Sequence, residues 1–134
     1  MDYNEKLDRD MKARGTPLLT TENNNFFHFA TFHGTHMNSI GVQIWFQNPT
    51  VPRIHIQVWG IKSFDTNPAQ GYKLCNRLNR EYAWINYHLN QKQLVAVFEV
   101  NVDESQNFGD ECWRLIRSVV SLVDDTYDEI QRGY

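Results

Sequence analysis

Between Asn67 and Ile130 the hydrophobic pattern changes from helical to two-residue period and back to helical. Few chains of this length can satisfy that order except as helices laid on a sheet. Asn67 is a good N-cap, Pro68 suits the first helical position, and Gln70 stands where a capping-box partner belongs. Gly71, Leu74, Cys75, Leu78 and Tyr82 then fall on one face, with Lys73, Arg77 and Arg80 off it. A strand follows with Ile85, Tyr87 and Leu89 on one side, then the polar turn Asn90-Gln91-Lys92-Gln93. In the next strand Leu94, Ala96, Phe98, Val100 and Val102 share a face, and Val95 and Val97 make the opposite face apolar too. The last helix, over 108–130, is about 35 Å long at ~1.5 Å per residue. Its stripe is Phe108, Cys112, Leu115, Ile116, Val119, Leu122, Val123 and Ile130. Trp113, Val120 and Tyr127 widen that stripe, and a helix apolar over a broad face usually touches two things.

The front half is less regular. Asp2 and Glu5 are spaced as a helix cap and its partner, Tyr3, Leu7 and Met11 recur every four residues, and Gly15-Thr16-Pro17 ends the run. That face is three side chains wide, so weak docking is expected. The tract Thr20-Thr21-Glu22-Asn23-Asn24-Asn25 predicts a loop or turn. Strands are expected over 26–32, 40–47 and 53–61. In the second, Ile40, Val42, Ile44 and Phe46 oppose Gln43, Trp45 and Gln47; in the third, Ile54, Ile56 and Val58 oppose His55, Gln57 and Trp59. Pro49 and Pro52 confine the connection between them to a hairpin loop. The predicted order is α-β-β-β-α-β-β-α, an α+β fold with a largely antiparallel sheet and packed helices, in a single domain spanning 1–134.

Composition bounds the function. With 41% hydrophobic and 13% aromatic residues in 134, the chain can bury a real core without staples. A net charge of −3 and a pI near 5.9 give no electrostatic footprint for nucleic acid. The acids gather late: residues 103–134 hold eight against three bases, which reads first as a solvated helix face and second as a surface for a basic partner. Cys75 and Cys112 fall on apolar stripes and are expected to be reduced core thiols. The charged start MDYNEKLDRDMKARG is not a secretory signal, and no apolar run reaches the ~18 residues of a membrane span, so a cytoplasmic protein is expected, without membrane or nucleic-acid partners.

Chemistry-bearing patterns are sparse. His33 and His36 flank Gly34, with His28 upstream, but no Cys or carboxylate sits at a spacing that completes a tetrahedral metal set. His55 and His88 are lone strand residues. There is no Gly-x-Ser-x-Gly elbow and no phosphate-binding glycine loop, and neither cysteine has an electropositive setting. The acid pairs Asp103-Glu104, Asp110-Glu111 and Asp124-Asp125 are sequence neighbours and do not face one another across a substrate. The first two suit the N-terminal end of the last helix; the third, with Asp128 and Glu129, lies at the wrong end for the helix dipole. No catalytic, cofactor or metal residue is assigned, and a non-enzyme is expected. Three readings stay open for Gln43, Trp45, His55, Gln57 and Trp59: a helix covers them as core, they dock a protein, or they stack RNA bases.

Leu74-Cys75-Asn76-Arg77-Leu78-Asn79, Trp84-Ile85-Asn86-Tyr87-His88-Leu89 and Leu94-Val95-Ala96-Val97-Phe98-Glu99, with the closing helix from Phe108, resemble the YbjN family of small bacterial domains, described as sensory transduction regulators. The resemblance covers 67–130 well and the front half by element order. It implies a fold like that of type III secretion chaperones and a non-enzymatic, dimeric protein-binding domain of chaperone or regulatory type. The family commonly has an Asp-Gly turn where this chain has Asn90-Gln91-Lys92-Gln93, so a longer, looser hairpin is expected. The candidate protein-binding residues are Trp45, His55, Trp59, Trp113, Val120 and Tyr127, the last three as a row on which two copies would pair into a homodimer. The alternative function is a small apolar ligand held in a pocket between sheet and helices.

Overall fold

A computed structural model describes residues 2–21, 24–103 and 107–132. Its elements are α1 (Tyr3–Arg14), β1 (Leu19–Thr21), β2 (Asn24–Phe32), β3 (Ile40–Phe46), β4 (Arg53–Val58), α2 (Pro68–Glu81), β5 (Asn86–Asn90), β6 (Gln93–Asn101) and α3 (Phe108–Gln131). The six strands form one sheet in the order β1-β2-β3-β4-β6-β5, with every neighbouring pair antiparallel. The α+β order predicted from the sequence is present with one strand added.

That strand, β1, corrects the expected loop over 20–25; Glu22 and Asn23 lie outside the described residues. Leu19 pairs with Phe29 and Thr20 with His28. A run of hydroxyl and amide side chains has no hydrophobic period to read, and it is extended here because β2 offers unpaired backbone groups beside it. A second correction concerns the hairpin of β5 and β6. It closes through Gln91 and Lys92 alone, both left-handed at φ 52° and 64°, the two positive φ values that mark a tight type I′ loop. The pairing Asn90↔Gln93 fixes the loop length, so register overrides the weak fit of Gln and Lys to that backbone. Third, the strand expected over 53–61 ends at Val58. Gly60 turns at φ 68°, and the chain then runs beside β6, where Ile61 N–H donates to Leu94 O and Phe64 N–H to Lys92 O.

All three helices pack on one face of the sheet: α1 on β2 and β3, α3 on β3 and β4 beside α1, and α2 on β5. The covered face presents Val42, Ile44, Phe46, Ile54, Ile56 and Val58, all fully buried. Tyr3 of α1, Phe46 of β3 and Phe108 of α3 form a three-ring cluster with centroids 5.7–5.8 Å apart. Asp2 caps α1 by accepting from the Asn4 and Glu5 amides. The thin face expected for α1 is supplemented by Asn4, whose amide donates to Phe46 O at 3.0 Å and accepts from Phe46 N at 2.9 Å. Asn79 of α2 does the same for Tyr87 of β5, at 2.9 and 2.6 Å, and so occupies backbone groups on the outer edge of the sheet. Asn67 caps α2 through the Gln70 amide, as its sequence predicts.

The acids at the end of α3 have a structural role that helix-dipole reasoning does not supply. Asp124 receives three backbone amides of the β2–β3 connection: Thr35 at 3.0 Å, His36 at 2.8 Å and Met37 at 2.9 Å. A side chain on Gly34 would land on this carboxylate, which is why glycine stands there. Asp128 meets the His36 ring at 2.8 Å, and Glu129 pairs with Arg77 of α2 at 2.6 Å. The C-terminal carbonyls of α3 receive Lys62 Nζ at Ile130 O.

Candidate protein-binding face

Because side chains alternate across a strand, the residues between the buried ones point to the other side of the sheet. There β2 contributes Phe27, Phe29 and Thr31, β3 contributes Gly41, Gln43 and Trp45, and β4 contributes His55 and Gln57. Phe27, Phe29, Gln43, Trp45, His55 and Gln57 are all partly solvent-accessible although they lie on interior strands. The reading in which a helix covers this face is therefore set aside: the helices are all on the opposite side.

The face is ordered by its aromatic contacts. Trp45 stacks on His55, its partner across the strands, at 5.1 Å and 18°. Phe27 meets Trp45 at 5.9 Å and 60°. Trp59, just beyond β4 and 41% exposed, lies over Gly41 and meets Phe29 edge-on at 6.2 Å. Gly41 makes this possible, since a Cβ there would stand 3.0–3.4 Å from the indole. Leu19, 73% exposed and paired with Phe29, extends the apolar surface to the sheet edge. Gln43 and Gln57 form a cross-strand pair on the same face as the two indoles.

Charge on this face is balanced. Glu99 receives His55 Nδ1 at 3.0 Å and lies 3.6 Å from Arg53. Burial lowers the His55 pKa, Glu99 opposes that and Arg53 adds to it, so the ring is neutral at pH 7 and donates its Nδ1 proton to the carboxylate. A neutral His held by a carboxylate next to indole and amide groups can stack and hydrogen-bond. No hydroxyl or thiol is placed by these contacts to serve it as a nucleophile. The cysteines are elsewhere, buried on α2 and α3; burial raises both thiols, and Cys112, also near Asp10 and Glu111, is pushed up to about 12.

The six candidate residues separate into two groups. Trp45, His55 and Trp59 share the open face, whereas Trp113, Val120 and Tyr127 lie on α3 in the helical layer. Trp113 packs between Phe32, at 5.6 Å, and the guanidinium of Arg14. Val120 is buried, and Tyr127 packs partly buried against the core. That row is thus satisfied within one chain, and its breadth no longer requires a second copy. Leu19, Phe27, Phe29 and Gly41 belong to the open face but were not singled out from the sequence. The two-residue spacing of Phe27, Phe29 and Thr31 was the available signal, obscured by Phe26 and Phe32 on the alternate positions.

His28, His33 and His36 do not converge: His28 is buried under the helical layer, His33 contacts Asn38 O and His36 contacts Asp128. Among the described residues, no group of three or more His, Cys, Asp or Glu is placed to hold a metal ion. No described helix is long and apolar enough to cross a membrane. A groove of about 820 Å³ runs along α3, lined by Phe32, His33, Trp84, Arg114, Arg117 and Asp125 among others, and is open to solvent.

No family model matches the chain, and no curated protein matches it in sequence. Solved structures do match in shape. A chain in the crystal structure of the ExsC–ExsE complex superposes with a TM-score of 0.62 at 12% identity, covering 96% of each chain. A chain in the structure of the HopA1–SchA chaperone–effector complex gives 0.62 at 10% identity, covering 94% of this chain and 93% of that one. The chain has the α+β fold of type III secretion chaperone-like domains, along nearly its whole length.

Proposed function

We propose that this chain is a non-enzymatic protein-binding domain of chaperone or regulatory type, and that its partner docks on the open aromatic face of the sheet. The observation that carries the reading is the set Leu19, Phe29, Trp45 and Trp59, left partly or largely exposed on a sheet whose other face carries the three helices. Water-exposed Trp and Phe in one contiguous surface favour association, and Trp is the residue type most enriched where binding energy concentrates. Glu99 and Arg53 cancel on this face, so it fits an apolar, uncharged surface of the partner better than a phosphate backbone. Both neighbours of similar fold come from protein complexes. The rival pocket between sheet and helices is not favoured, because Ile44, Phe46, Ile56, Phe108 and Val119 fill that space.

A photo-crosslinking residue at Gln57 tests the proposal in the native host, with the same residue at Arg117 on the helical side as comparison. A protein adduct at 57 that disappears with Trp45→Ala and Trp59→Ala is the expected result. Adducts at 117 with none at 57 would assign binding to the helical layer and overturn the reading.

A further inference from the structure

His28 is the one fully buried imidazole among the described residues, and neither of its ring nitrogens has a hydrogen-bond partner among them. Buried polar atoms are paired in the great majority of native positions, so an unpaired His in a core calls for a cause. It stands on β2 on the helix-covered side, between Thr20 of β1 and Ile44 of β3, neither of which carries charge. Above this part of the sheet lies α1. The charges acting on His28 are Asp8 and Asp2, both from α1. Asp8 is held by Lys12 at 2.8 Å, and Asp2 by the Asn4 and Glu5 amides of its own helix end. On α3, the neighbouring helix, Asp110 is paired with Arg14 and Glu111 with Arg114. Among the described residues, no carboxylate is therefore in hydrogen-bond reach of the ring while α1 is docked.

We propose that α1 is an acid-released strap: protonation of His28 drives α1 off the sheet and uncovers the apolar surface beneath it. An imidazolium at this position is closed off from bulk solvent and has no acceptor among the described residues in the docked state, and a buried unpaired charge is far costlier than a buried neutral ring. Lifting α1 supplies water to the ring, and this gain outweighs the loss of Asp8 and Asp2, which leave with α1, because burial is the larger influence on the ring. The strap is held by Tyr3, Leu7 and Met11 in the core, the Asn4–Phe46 pair of bonds, Tyr3 N–H on Pro49 O, the Arg14–Asp110 pair, and the Lys6 and Arg14 cations over the Phe108 and Trp113 rings. The sheet, α2 and α3 keep their contacts with one another when it leaves, so the opening is local. Burial lowers the His28 pKa against the raising effect of Asp8 and Asp2. The sign follows: a His that is less basic folded than unfolded destabilises the docked state as pH falls below its ordinary value of 6.5. What opens is the Phe46–Phe108 side of the core, a second apolar surface distinct from the open sheet face.

Amide hydrogen exchange on the whole chain at pH 7.5 and 5.0, corrected for intrinsic rates, tests this. The open population at α1 amides should rise by up to about tenfold per pH unit as pH falls below 6.5 and level off below the lowered folded-state value, while β4 and α3 amides hold their protection. His28→Leu should abolish the acid response of α1, and His28→Gln, which cannot protonate, should do so even if His28→Leu folds poorly. His36→Gln should leave the response intact, which separates His28 from the His36–Asp128 pair. Equal α1 protection at both pH values, an acid response surviving in both His28 variants, or opening of α3 together with α1 would each overturn the proposal.

Discussion

Replacing Asp124 tests whether the acidic end of α3 is a clamp or a solvated surface. Asp124→Ala removes the acceptor of three backbone N–H groups, those of Thr35, His36 and Met37. A hydrogen bond to an ionised acceptor contributes about 1.5–3 kcal/mol when well shielded, but two of these three are exposed and water can replace the carboxylate there. Taking about 1 kcal/mol for each gives a loss near 3 kcal/mol, or roughly 10 °C in Tm for a chain of this size. Asp124→Asn is the sharper variant. Its oxygen can keep the two amides on Oδ1, but its NH₂ faces the Thr35 N–H and strands that donor, for about 1–2 kcal/mol. The pH dependence separates the clamp from a packing effect. Partial burial would raise the Asp124 pKa, but the Met37, Thr35 and His36 amides outweigh it and hold the carboxyl below its ordinary 3.8. A carboxyl depressed in the folded state adds stability that is present above that value and disappears as pH falls through the folded one. Urea titrations at pH 7 and at pH 3 measure both effects. If Asp124→Ala shifts the unfolding free energy at pH 7 by less than about 0.5 kcal/mol, the error of such a measurement, the clamp contributes nothing and the reasoning fails.

Three further outcomes follow from other sites. Lys92→Gly should stabilise the β5–β6 hairpin by about 0.5–1 kcal/mol, since a left-handed Lys costs roughly 1–2 and glycine loses part of that in the unfolded chain; an unfolding midpoint that stays put or drops would refute the turn geometry. Asn67→Ala removes the cap on the Gln70 amide and should cost about 0.5–2 kcal/mol, with faster exchange confined to the first turn of α2; an unchanged midpoint would place the helix start elsewhere. Cys75 and Cys112 should react slowly with a thiol reagent in the folded chain, both at raised pKa and buried, and rapid labelling of either would contradict their positions.

Sequence alone determined the elements whose stabilising contacts repeat at a local period. The Asn67-Pro68 start of α2, the alternation through β3 and β4, and the long stripe of α3 were legible because each buries every second or every third-to-fourth residue against one surface. It also limited the chemistry, since no catalytic spacing was present. Tertiary structure decided what depends on partners far along the chain. Asp124 finds the amides of 35–37 some ninety residues away, so its role had no local signature. Strand β1 exists because β2 offers it an edge, and the tight turn at Gln91-Lys92 exists because the pairing of β5 with β6 leaves two residues to close it. The alternation at Trp45, His55 and Trp59 was visible in one dimension, but whether a helix lay over them was not. That was fixed when α1, α2 and α3 all packed on the opposite face, where the larger apolar surface was, leaving two indoles and a stacked imidazole facing water.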